Sequence, residues 1–175
     1  MIAASRSGTP SVDLAHRRTI AELLERLDDA DAVVCCAASA PLASISELSD
    51  EDFVTSITPK LLGQVAVAIH AAAQLRDGGS ITLTGGAIPA GTSGAAGGAL
   101  VNAGLEAFVQ AAAQDLGCGL RINAVSPGWV AETLAELGMD AAPGTPVAEV
   151  ARAYATAVES TVSGKILRPG ARLGT

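Results

Sequence analysis

Three short apolar runs constrain this 175-residue chain more than any other feature. Asp31–Cys36 contains Ala32-Val33-Val34, Ser80–Thr84 reads Ser-Ile-Thr-Leu-Thr, and Arg121–Val125 reads Arg-Ile-Asn-Ala-Val. Each has the length and β-branched content of a strand, and Gly85-Gly86 and Pro127-Gly128 close the last two. Continuous apolar content marks strands covered on both faces. Longer segments of helical spacing lie between the runs. Ile20, Leu23, Leu24 and Leu27 recur at helical intervals over 17–27. Ser49-Asp50-Glu51-Asp52 supplies an N-cap and an acidic first turn for a helix over 49–75, disturbed near Pro59 and ended by Asp77-Gly78-Gly79. A small-residue helix is predicted over 93–116, and two short helices follow, the second opening at Thr145-Pro146. Ile2-Ala3-Ala4 and Ser11–Leu14 read as brief opening strands, and Lys165-Ile166-Leu167 as a last one. This alternation predicts a single α/β domain over 1–175, a doubly wound parallel sheet with right-handed crossovers and helices on both faces.

Composition removes several classes of function. Apolar residues make up 49% and charged ones 17%, which excludes a disordered chain. Aromatics are 2%, so the core must come from Ala, Val, Leu and Ile. The net charge is −7 and Arg17-Arg18 is the only basic cluster, so nucleic acid has no footprint to bind. The apolar run 64–73 is too short to span a bilayer, and 1–8 shows no signal-peptide core. Cys35, Cys36 and Cys118 fit neither a disulfide framework nor a metal pattern and read as reduced thiols, the expectation for a cytoplasmic protein. His16 and His70 have no triad or metal spacing, so no metal site is expected.

Several blocks resemble the short-chain dehydrogenase/reductase family. Arg121-Ile122-Asn123-Ala124-Val125-Ser126-Pro127-Gly128-Trp129-Val130 is similar, almost residue for residue, to the family's strand and Pro-Gly turn. Asp31–Ala38 resembles the strand ending in Asn-Asn-Ala-Gly, and Ala103–Phe108 the stretch after Tyr-x-x-x-Lys. Ser163–Leu167 resembles the terminal strand, and Ser5-Arg6-Ser7 the end of the second. The resemblance implies a Rossmann-type fold, NADP rather than NAD, and hydride transfer to or from a carbonyl or hydroxyl of a small molecule. It also implies site residues. Ser5 and Arg6 would meet the adenosine phosphate, and Asp13 and Leu14 would border the adenine. Ala37 and Ala38 would admit the ribose. Pro127, Gly128, Trp129 and Val130 would flank the nicotinamide, and Thr133 would reach its amide or a phosphate. Association through the two long helices, here 49–75 and 93–116, is implied as well.

The chain departs from the family in two ways. The first strand, its glycine-rich turn and the helix that holds the diphosphate are missing, and Gly94–Gly98 does not replace them. That strand normally lies inside the sheet, so its loss is expected to leave unpaired inner edges. A rearranged sheet, a partner, marginal folding or a start upstream of Met1 would each answer that loss. The catalytic tyrosine, lysine, serine and asparagine positions fall on Gly98, Asn102, Gly85 and Lys60. Thr84, Asn102 and Lys60 are the candidates for a rebuilt site, and Tyr154 reads as a packing or surface-capping residue. The alternative to an oxidoreductase is a catalytically inactive relative, a pseudoenzyme acting by binding or oligomerisation.

Overall fold

The structure is a computed structural model that describes residues 1–27, 29–37 and 42–170. Four strands, β1 (Ala30–Val34), β2 (Leu75–Thr84), β3 (Arg121–Val125) and β4 (Ile166–Leu167), pair in that order in one parallel sheet. The helices are α1 (Arg17–Leu24), α2 (Asp50–Thr58), α3 (Gln64–Gln74), α4 (Ala96–Asp115), α5 (Ala131–Glu136) and α6 (Val147–Glu159). The α/β reading of the sequence holds, and so do the strands read at 31–36, 80–84 and 121–125, the second of which begins earlier, at Leu75, the expected end of the long helix.

Local chemistry explains most boundaries. Ser49 caps α2 by accepting from the Asp52 amide at 3.1 Å, as its place before three acids predicts. Pro59 has no N–H to continue the ladder, and the expected long helix changes there into a π-helical turn, Pro59–Gly63. Glu132 caps α6 by accepting from the Val147 amide at 2.8 Å.

Strand side chains alternate between two faces. Ile81, Leu83, Ile122, Ala124 and Cys35 form one core cluster with residues of α1, α3 and α4. Val125 instead packs on Val150 and Ala157 of α6. Thus α6 covers the opposite face, and since the strands advance in one direction, the β3–β4 connection has the opposite hand to the first two. Uniform right-handed crossovers therefore do not hold.

The opening strands are also corrected. Residues 2–4 do not join the sheet, and Ser5 and Ser11 form only an isolated parallel bridge, with Val12 N donating to Ser5 O at 3.1 Å. Runs of three or four residues are short for strands and form few ladder bonds, and β1's open edge pairs with neither. Nor is the sheet rearranged: the four strands pair consecutively, with β1 and β4 at its edges, so among the described residues one inner edge, on β1, is left rather than two. Leu14 still docks. A Cβ on Gly63 would lie 2.5 Å from the Leu14 carbonyl oxygen, so only glycine admits this approach.

Candidate functional site

The carboxyl ends of β1, β2 and β3 converge with the π-turn and α4. The π-turn directs Lys60 inward, leaving it 7% exposed. Asn102, 6% exposed on α4, accepts from Lys60 Nζ at 2.9 Å through Oδ1. Two of the candidates for a rebuilt site, far apart in the chain, are thus in contact. Burial pushes the Lys60 ammonium below its usual range.

Gln64 locks this corner. Its amide donates to the carbonyls of Lys60 (3.0 Å) and Thr84 (2.8 Å), and its oxygen accepts from the Thr84 amide (2.7 Å). The sequence reading missed Gln64, and the available signal was a lone amide opening the apolar run 64–73. Fully buried polar groups of this kind are retained when every partner is satisfied.

Thr84 does not join the pair. Its hydroxyl donates to Cys35 O at 2.6 Å, which uses its only proton, so the 2.6 Å contact with Tyr154 is donated by the phenol. Both groups lie on the α6 side of the sheet. Tyr154 is therefore more than a surface cap: it ties α6 to β2. Burial pushes its phenol up to about 12, against a weaker lowering by Thr84, so it stays protonated and is no tyrosinate relay.

A Cβ on Gly85 would overlap Ser126 Oγ, so a side chain there would have to turn the Ser126 hydroxyl aside. Ser126 donates to Glu106 at 2.8 Å, and Arg168 donates to the same carboxylate.

The cofactor candidates are scattered more widely. Ser5 and Arg6 are exposed, and Ser11 Oγ donates to Arg6 O at 3.0 Å. Asp13 accepts from Ala15 N at 2.9 Å and faces His16, which hold its carboxyl below the usual carboxylate range. It is committed to the turn before α1, and Leu14 to the core. Ala37 is exposed at the end of β1, whereas Ala38 lies outside the described residues. Pro127 O accepts from Ala87 N at 2.8 Å, and Gly128 faces open space. Trp129, 41% exposed, accepts from Thr145 N at 2.8 Å, Val130 bridges to Thr145, and Thr133 is exposed on α5. Two shallow depressions, of about 420 and 330 Å³, lie elsewhere, one around Leu75 and Leu116 and one around Leu48 and Phe53. Among the described residues no group of acids, histidines or cysteines is placed to hold a metal ion, and no helix is long and apolar enough to cross a membrane.

Comparison with known proteins agrees with this architecture. Residues 11–161 match a family model described as enoyl-(acyl carrier protein) reductase. The protein lin1944 of Listeria innocua superimposes with a TM-score of 0.88 at 30% identity, over 95% of this chain and 86% of that one. A small-chain dehydrogenase in complex with NADPH gives 0.79 at 23% identity, over 93% and 82%. A short-chain dehydrogenase/reductase of Serratia marcescens gives 0.74 at 21% identity, over 90% and 74%. The last two show the fold alone. No curated protein sequence matches. The chain belongs to the short-chain dehydrogenase/reductase family of oxidoreductases.

Proposed function

We propose that this chain transfers hydride to or from a carbonyl or hydroxyl of a small molecule, using NADP in preference to NAD. The observation that carries the reading is the buried Lys60–Asn102 pair at the converging carboxyl ends of the strands. Burying an ammonium without a counter-ion costs several kcal/mol, and such costs concentrate at working sites.

The cofactor fits this chain in part. When bound it supplies or accepts the hydride. Arg6 and Ser5 would hold the adenosine phosphate, while Ala37 and the 127–130 turn, with Thr133, would border the nicotinamide half. Asp13 and Leu14 are already engaged locally, and the family's glycine-rich turn, which would hold the diphosphate, has no counterpart in the sequence. The expectation is weak binding that depends on Arg6. Titration with NADPH and NADH, with oxidation followed over a panel of ketones and quinones, tests it. Arg6→Ala should weaken NADPH by about tenfold or more while sparing NADH. No binding at millimolar NADPH sinks the reading.

A second reading, an inactive relative acting by binding or self-association, is favoured by the glycines at 85 and 98 and by the protonated Tyr154. Binding without turnover across the panel would select it. Either form would associate through helices 49–75 and 93–116, where Val54, Leu62, Ile69 and Leu100 are exposed. Sedimentation of wild type against Ile69→Glu tests that surface, and an unchanged mass would exclude it.

A further inference from the structure

The Lys60–Asn102 pair is a set of donors without an acceptor. An ammonium only donates, so Asn102 must turn its oxygen toward Nζ, which sends its amide NH2 the other way. Nδ2 lies 3.3 Å from the point a Gly86 Cβ would take, and it hydrogen-bonds no described residue. Lys60 Nζ makes one hydrogen bond among the described residues and keeps two N–H groups to spare. No described carboxylate lies within ion-pair distance of it. Glu106, one turn beyond Asn102 on α4, is taken up by Ser126 and Arg168. Both members of the pair are more than nine-tenths buried. The backbone beside them carries no side chains at Gly85 and Gly86, nor at Gly98 one turn before Asn102.

We propose that Lys60 and Asn102 form an anion-receiving site, and that the molecule this protein takes carries a carboxylate held by Lys60 Nζ and Asn102 Nδ2. The donor-only chemistry leaves both groups open to an acceptor, and the cation without a described counter-ion favours a negative one. This goes beyond the redox reading and stands without it.

Acetate and acetamide have nearly the same shape and differ in charge. Each is titrated into the full chain, followed by the Asn102 side-chain NH2 resonances and by thermal unfolding. Acetate is expected to shift those resonances and raise Tm, with acetamide at least about tenfold weaker. Lys60→Met, close in length and apolar, should erase that difference. Should Lys60→Met fail to fold, the comparison in wild type decides alone. An Asn102 amide unmoved by acetate up to about 100 mM, where a millimolar site is saturated, overturns the proposal. An equal response to acetamide, or full acetate binding in folded Lys60→Met, overturns it as well. Neither NADPH binding nor turnover enters these readings, so the two proposals fail separately.

Discussion

The two faces of the sheet are built from the same strands and by different physics. Toward α1, α3 and α4 the strands present Ile81, Leu83, Ile122 and Ala124, all buried and apolar. Toward α6 the alternation turns out Ser80, Thr82, Thr84 and Asn123, with Val125 as the apolar exception in the central pair. The first face is held by area, at about 1.5–3 kcal/mol for each large side chain removed from water. The second is held by directed bonds. Asn123 donates to Ala157 O (3.4 Å) and Val162 O (2.9 Å) and accepts from Lys165 N (3.0 Å), which stitches α6 to β4. Not all of that face is satisfied: Ser80 Oγ and Thr82 Oγ1 are buried without partners among the described residues. Stability therefore resides mainly on one face, and the attachment geometry of α6 on the other.

The largest expected effect breaks the apolar face. Leu83→Ala should cost about 2–5 kcal/mol by denaturant unfolding, a large part of a typical domain's stability. A loss under 1 kcal/mol would mean that this face does not dominate. Gln64→Leu comes next: it keeps the volume but orphans the Thr84 amide and carbonyl, at about 1–3 kcal/mol for each group left unpaired. Hydrogen exchange should localise that loosening to the end of β2, and uniform loss of protection would contradict it. Lys60→Met should act in the other direction. The folded-state pKa of Lys60 lies below 10.5, so the unfolded chain binds more protons between that lowered value and 10.5. Wild type then gains stability as pH rises through this window and carries the full penalty below it. The variant should melt higher at pH 7 without added anion, with the gap closing toward pH 10.5; a gap constant with pH would remove the titration argument. The smallest effect sharpens the polar face. Thr82→Val removes an orphan hydroxyl at constant shape and should be neutral or stabilise by about 1 kcal/mol. A clear loss would reveal a partner for Thr82.

Much of the fold was legible because it is written locally. The runs at 31–36, 80–84 and 121–125 became strands, and Ser49 became a cap. The spacing of Ile20 and Leu24 put both on the buried side of α1. The site was legible only in pieces. Lys60 and Asn102 were named as candidates singly, but their contact spans 42 positions and depends on a π-turn at Pro59. Thr84 was also named, yet strand alternation turns its hydroxyl away from that pair, toward Tyr154. Gln64 was hidden because an amide inside an apolar run looks incidental until its three partners are known.

By itself, then, the sequence determined the family and the alternation of strand and helix. Only the tertiary structure decided that residues 2–4 stay out of the sheet, that α6 covers the face opposite α3 and α4, and that Lys60 meets Asn102. Periodicity and capping act over a few residues and leave their mark in the chain. Strand pairing, facial coverage and the burial of a lone ammonium are settled between segments far apart, where no local pattern records them.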